Sequence, residues 1–259
     1  MATRELVTFG LDGKIALIGL NRAEKRNAIN DAVIAAIENA VERAQKEARA
    51  IVVFGNGPCF CAGLDLVEHE TRPAEEVFYH SRGWHRAFRK LRHGRVPAIA
   101  ALHGATIGGG LELAAACHLR VADRSAFFAL PEGSRGIYVG GGASVHVARL
   151  IGASRMADMM LTGRVLDAAE GERIGLVNYL VEESEAKNKA LALAHKIATT
   201  APLTVLGVLQ ALPRIQDMSE DDGLFVESLM AALSQTGPEA VQRLAEFAQK
   251  RGTKVKGPD

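Results

Sequence analysis

Hydrophobic positions along the chain follow two rhythms. Short apolar runs, Leu6–Phe9, Ile15–Leu20, Ala50–Phe54 and Ala98–Leu102, have the length of strands, and the last two read as buried ones. Asp12-Gly13, between the first two, predicts a hairpin with a short loop. A polar loop, Asn21–Ala28, leads to a helical spacing of apolar residues at Val33, Ile34, Ile37, Val41 and Ala44, capped by Asn30 or Asp31. The breakers Gly55-Asn56-Gly57-Pro58 end the third run. From Glu182 onward strand-like runs stop. Ala186–Thr199, Pro202–Leu212, Gly223–Ser234 and Pro238–Lys250 read as successive helices, with a stripe at Leu224, Val226, Leu229 and Leu233. The pattern predicts α/β layering over residues 1–200 and an all-helical domain over 201–259, ending in a polar tail.

The most informative stretch is Ala98–Glu112. A buried run reaches His103-Gly104, meets Gly108-Gly109-Gly110, and passes into the helix former Leu111-Glu112-Leu113-Ala114-Ala115-Ala116. This reads as strand, glycine turn and helix, with the first-turn amides open to a ligand that can approach the bare backbone. Glu112 falls beside those amides. A second glycine turn, in Pro58-Cys59-Phe60-Cys61-Ala62-Gly63-Leu64-Asp65-Leu66, follows another strand and leads to an expected helix. Amides from two strand ends are a way to assemble an oxyanion hole. In Ala129-Leu130-Pro131-Glu132-Gly133 the proline suits the first position of a short helix and leaves Glu132 near its start. Two carboxylates near two such donors suggest acid–base work on an acyl group.

Composition narrows the classes without choosing among them. The 259 residues are 48% apolar and 24% charged, ordinary for a globular enzyme. A net charge of +1 offers no electrostatic case for nucleic acid or an anionic membrane, and no apolar run approaches a membrane span. Cys59, Cys61 and Cys117 cannot all pair, and C-x-C alone is a poor metal signal, so reduced thiols and a cytoplasmic location are expected. Each candidate also has a plainer explanation. A glutamate in a first helical turn is favoured by the helix dipole whatever its function. Gly140–Gly142 could be a surface turn, His85 and His103 could be satisfied core or surface histidines, and Glu68-His69-Glu70 lacks H-E-x-x-H spacing and reads as a solvated charge run. A dinucleotide turn would need G-x-G-x-x-G and a spaced acidic residue, which the triple glycine does not supply.

Taken together and in order, the runs resemble the enoyl-CoA hydratase/isomerase (crotonase) family. They are Asn21-Arg22…Asn27-Ala28, Phe60-Cys61-Ala62-Gly63-Leu64-Asp65-Leu66, Pro97–Gly104, Gly108-Gly109-Gly110-Leu111-Glu112-Leu113, Pro131-Glu132…Gly136, Leu161-Thr162-Gly163-Arg164 and Gly175-Leu176-Val177. The resemblance implies an α/β fold, a ββα spiral followed by a helical domain that forms homotrimers or hexamers. It implies an oxyanion hole from the amides of Leu64 and Gly109, a catalytic pair Glu112 and Glu132, and an acyl-CoA substrate with no further cofactor or metal. Contacts to the substrate or its coenzyme A are implied for Lys25, Arg26, Ala28, Ala62, Asp65, Gly108 and Lys250, with His85, Trp84 and Gly140 as candidates behind them. Retention of both glutamates favours hydration; isomerisation or thioester hydrolysis on the same scaffold is the alternative, and a non-catalytic RNA-binding member is disfavoured by the neutral charge.

Departures are equally specific. His118 stands where the family usually has aspartate, and Val139-Gly140-Gly141-Gly142-Ala143 replaces the common Pro-Gly-x-Gly-Gly. Trp84-His85 resembles the base region of 4-chlorobenzoyl-CoA dehalogenase, but that enzyme's nucleophilic aspartate falls on Gly140, which excludes its chemistry. Leu130–Ile137 with Trp84-His85-Arg86 looks similar to 3-(methylthio)acryloyl-CoA hydratases, a subgroup in which thioester hydrolysis follows hydration.

Overall fold

The structure is a computed structural model that describes residues 5–67 and 71–249; Glu68-His69-Glu70 and Lys250 lie outside them. Two compact units divide the chain, residues 1–198 and 199–259. In the first, the elements run β1 (Val7–Asp12), β2 (Ile15–Leu20), α1 (Asp31–Glu47), β3 (Ala50–Gly55), α2 (Ala74–Arg92), β4 (Ala98–Leu102), β5 (Ala105–Ile107), α3 (Gly109–Ala116), β6 (Leu119–Asp123) and β7 (Phe127–Ala129). They continue as α4 (Ala143–Ile151), α5 (Ala153–Thr162), β8 (Leu166–Asp167), α6 (Ala168–Arg173), β9 (Tyr179–Val181) and α7 (Ala186–Ala198). The second unit is helical: α8 (Pro202–Leu206), a π turn at Gly207–Ala211, α9 (Leu212–Ile215), α10 (Glu220–Gln235) and α11 (Pro238–Ala248).

A six-stranded sheet has the order β1-β2-β3-β4-β6-β9, antiparallel at β1–β2 and parallel thereafter. The unbroken apolar runs of β3 and β4 have their cause here, because both sheet faces are covered. Ile51, Val53, Ala98, Ala100 and Leu102 join the larger core with α1, while Ala50, Val52, Phe54, Ile99 and Ala101 face α7. Helix α7 meets them with Ala186, Ala190 and Ala194, four residues apart on one stripe, and small side chains let it lie close to the sheet. Asn30 caps α1 by accepting from the Val33 amide at 2.9 Å.

Three expectations need correction. The strand feeding the triple glycine is β5, not β4. A turn at Gly104 (φ +53°) takes the chain out of the large sheet into a small one ordered β5-β7-β8. No helix follows the Gly63 turn; Leu64 instead forms a parallel bridge with Ile29, as Cys61 does with Thr106. Pro202–Leu212 is also not one helix, since a π turn interrupts it.

The Ile29–Leu64 bridge brings the loop from Arg22 to Ala28 beside the segment from Cys59 to Leu64, and the Cys61–Thr106 bridge ties that segment to β5. Asn27, buried and at φ +57°, is the fastener: its side-chain amide nitrogen donates among the carbonyls of Asn56 (2.9 Å), Cys59 (2.9 Å) and Phe60 (3.1 Å). Its Oδ1 accepts from the Arg22 amide at 2.9 Å. Asparagine tolerates this left-handed backbone better than most residues. Asn27→Gly keeps the backbone conformation and removes the fastener, so it should cost about 2–4 kcal/mol from buried carbonyls left unpaired. A urea titration read by Trp84, the single tryptophan, checks this; a midpoint unchanged from wild type would mean that the loop is held by other contacts.

Candidate active site

Three chain segments lie side by side in the small layer and end at one place. Cys61 pairs with the β5 strand, the Cys61 amide donating to Ala105 O (2.9 Å) and the Ile107 amide to Cys61 O (3.0 Å). Strand β5 in turn pairs with β7, and the Gly108 amide donates to Ala129 O at 2.9 Å. Directly beyond these pairings the three segments deliver Leu64, Gly109 and Glu132. Gly108 makes the turn possible with φ +51° and ψ −119°, a conformation essentially reserved for glycine, and a Cβ there would stand 2.5 Å from Glu132 Oε1. A Cβ on Gly109 would be 3.7 Å from the Leu64 nitrogen and 2.6 Å from Trp84 Cζ3. The two amides are therefore neighbours, and the indole packs over them. Neither N–H donates to an acceptor among the described residues, which leaves both for a ligand oxygen.

These groups line a cavity of about 150 Å³. Of the residues expected there, Ala62, Leu64, Gly108, Gly109, Glu112, Glu132, Trp84 and Gly140 line it. Lys25, Arg26, Ala28, Asp65 and His85 do not. Lys25 and Arg26 are exposed on the neighbouring loop, where the Ala62 amide donates to Arg26 O at 3.0 Å. The Asp65 carboxylate, buried, is held by Arg22 (3.1 Å) and Lys25 (3.3 Å), an ion pair that ties the two loops together. His103 reaches Gly57 O at 3.0 Å, away from the cavity. His118 is half-buried, accepting from the Ala98 amide at Nδ1 and donating to Arg92 O from Nε2, both at 3.0 Å. Burial, with Arg92 nearby, brings its pKa down to about 4, so a neutral imidazole fastens β4 to the end of α2.

Glu112 sits in the first turn of α3, 3% exposed. Its Oε1 accepts from the amides of Gly141 (2.7 Å) and Ala143 (3.1 Å), at the start of α4. The glycine run Gly140–Gly142 is thus no idle surface turn. Burial pushes the Glu112 pKa up to about 7; the amide bonds pull against that rise, and the neighbouring Glu132 adds to it. Glu132 precedes a 3₁₀ turn at Gly133–Arg135 and is also raised by burial, its own backbone and Arg135 opposing. Its Oε2 is buried with no partner among the described residues. A carboxyl in that position favours a proton or a hydrogen-bonding ligand. The arrangement can polarise an acyl oxygen between two amides and exchange protons with the adjoining carbons.

Helix α2, absent from the pattern reading, supplies the opposite wall through Val77, His80, Ser81 and Trp84. Its charge density masks it, since Glu75, Glu76, Arg82, Arg86, Arg89, Lys90 and Arg92 leave a thin apolar stripe. That stripe, Val77, Trp84, Phe88 and Leu91 at spacings of seven, four and three, is the signal that could have found it. His80 bonds Asp31 Oδ1 at 2.6 Å, and Leu66, Ile137 and Tyr138 complete the apolar lining.

The chain is similar to known proteins in both sequence and structure. The enoyl-CoA hydratase/isomerase family profile matches residues 10–257. The short-chain-enoyl-CoA hydratase of Clostridium acetobutylicum is 33% identical over 254 residues, 95% of each chain. A protein of Rhodopseudomonas palustris provisionally named enoyl-CoA hydratase superposes with a TM-score of 0.93 at 52% identity, covering 95% of both chains. The enoyl-CoA hydratase of Bacillus anthracis superposes at 0.89 with 28% identity, over 98% of this chain and 100% of its own.

A raised carboxyl in the folded state has a thermodynamic sign. Between the ordinary value of 4.5 and about 7 the native protein binds the proton that the unfolded chain has lost, so stability falls as pH rises through that window. Glu112→Gln keeps an acceptor for the two amides and removes the titration. The variant should gain on wild type with rising pH, by on the order of 2–3 kcal/mol at pH 8, as read by urea unfolding across pH. A pH-independent difference between the two would contradict the burial argument.

Proposed function

The chain belongs to the enoyl-CoA hydratase/isomerase family, and from that premise we propose that its cavity adds water across the α,β double bond of an acyl-CoA thioester. The observation that carries the reading is the convergence of four groups on one buried space: the amides of Leu64 and Gly109 and the carboxyls of Glu112 and Glu132. Water attacking the β-carbon drives charge onto the thioester oxygen. Two pre-aimed N–H groups stabilise that charge, each by about 3–4 kcal/mol where such donors have been removed singly. Glu112, whose ionised form is supported by amide donors, takes the proton from water; Glu132, whose buried oxygen favours the protonated form, delivers one to the α-carbon. The product is a 3-hydroxyacyl thioester. This chemistry uses no redox group or metal, and coenzyme A enters as part of the substrate.

The finer parts of the reading follow from position. Exposure of Lys25 and Arg26 on the loop that abuts Ala62 supports their meeting coenzyme A phosphates. A small, sulfur-bearing β-substituent, as in the methylthio compound, suits an apolar lining of modest volume. The helical unit presents Leu224, Phe225, Leu229, Leu233, Val241, Leu244 and Phe247 at 46–65% exposure, an apolar surface suited to assembly into homotrimers or hexamers. Three buried free thiols suit a reducing compartment such as the cytoplasm.

Mixing the protein with crotonyl-CoA and the methylthio analogue, and following loss of the conjugated absorbance with free thiol measured alongside, tests the reaction class. Hydration should appear, and Glu112→Gln and Glu132→Gln should each lower kcat by about 10²–10⁴-fold with KM little changed. kcat/KM should rise with pH through about 7 as Glu112 ionises, and fall again when the second proton leaves the pair. Double-bond migration, or thiol release without hydration, would move the assignment to the isomerase or hydrolase alternative.

A further inference from the structure

The bond between Gly141 and Glu112 is one end of a longer chain. The peptide group joining Gly140 to Gly141 offers its N–H to Glu112 Oε1 at 2.7 Å and its C=O to the Ser81 hydroxyl, which donates to it at 2.6 Å. His85 lies one turn along α2, near the same carbonyl. The Ala143 amide, the other donor to the same carboxylate oxygen, is longer at 3.1 Å. Ser81 lines the cavity, yet its proton is committed to backbone rather than turned toward the space a substrate would fill.

We propose that Ser81 is a positioning residue that sets the acidity of Glu112 through the Gly140–Gly141 peptide group. A hydroxyl donating to a peptide carbonyl draws electron density toward oxygen and makes the N–H on the other side of the same amide plane a stronger donor. That N–H bonds the ionised carboxylate best, so the serine favours the form of Glu112 able to act as a base. The hydroxyl also fixes the rotation of the peptide plane, which three consecutive glycines would otherwise leave loose. Helix α2 therefore reaches the carboxylate without touching it.

Other titratable and charged groups of this region must stay constant in any test. They are Glu132 and Arg135 from the turn after β7, His80 and His85 on α2, and His146 on α4, the last held down to about 4 chiefly by burial. Ser81→Ala alters none of them and removes one donor. Ser81→Thr keeps the hydroxyl. Ser81→Cys keeps the size with a weak donor and stands in for alanine if that variant does not accumulate.

The measurement is the titration of the Glu112 carboxyl by infrared spectroscopy of protein labelled with ¹³C-glutamate, the band being assigned by its loss in Glu112→Gln. Ser81→Ala should move the midpoint upward by about half a unit, near threefold in the ionised fraction below it, and Ser81→Cys should move it the same way by less. Ser81→Thr should restore the wild-type midpoint. The kinetic arm rests on the hydratase reading: the rising limb of kcat/KM should shift alkaline by the same amount, with KM changed less than about twofold. An unmoved midpoint in Ser81→Ala, or an equal shift in Ser81→Thr, overturns the proposal even if the enzyme hydrates its substrate. A wild type without hydratase activity would overturn the functional reading and leave the spectroscopic arm to decide this one.

Discussion

The structure depends on a stack of short parallel pairings that lies beside the main sheet. Ile29 with Leu64, Cys61 with Thr106, and β5 with β7 form a second layer only a few residues deep, yet each segment ends at the cavity. Backbone hydrogen bonds set this register, and side chains cannot slip it without breaking several at once. Two amide donors and a carboxyl are therefore delivered to one place by main-chain geometry. The layer is itself held from outside by Asn27 and by Asp65 with its two cations, which is why a loop with no direct part in the cavity carries so much buried polarity.

Burial of the two glutamates is the main energetic concession. A carboxyl taken from water without full compensation costs several kcal/mol or gives up its charge. Here the concession takes the second form, with both groups raised, and it is tolerable because amides at the start of α4 hold Glu112. Glu132 keeps an oxygen without a partner among the described residues in the same enclosure. Unmet hydrogen-bonding capacity beside two unused amides is a site that gains from a polar ligand. The extensive, well-satisfied core on both faces of the large sheet supplies the stability that such a region draws on.

Helix α2 connects these themes. One side, with Trp84, Phe88 and Leu91, packs into the core, and Val77, His80, Ser81 and Trp84 together form a cavity wall. Trp84 stands edge-on to both His80 and Phe88, at 6.1 and 5.8 Å between ring centres, which fixes the indole against the Gly109 amide. The helix thus meets the Gly109 turn through an aromatic contact and the Gly140 carbonyl through the Ser81 hydroxyl.

Much was legible from residues alone. Unbroken apolar runs specified buried strands, Asn30 or Asp31 announced a helix, and the glycine turns with Glu112 and Glu132 stood out because their composition makes sense only where a backbone must be approached closely. These signals are local, carried within a few residues by period, cap and turn chemistry. The second sheet, the bridge at Leu64 in place of a helix, and the α2 wall were not legible, because they arise from pairings across dozens of residues or from a helix whose charged face hides a thin stripe. The sequence therefore determined which chemical groups were available and on what kind of turn each sat. Only the tertiary structure decided that Lys25 serves Asp65, that Gly141 serves Glu112, and that Ser81 donates to the Gly140 carbonyl, since long-range hydrogen bonds leave no periodic trace in the chain that makes them.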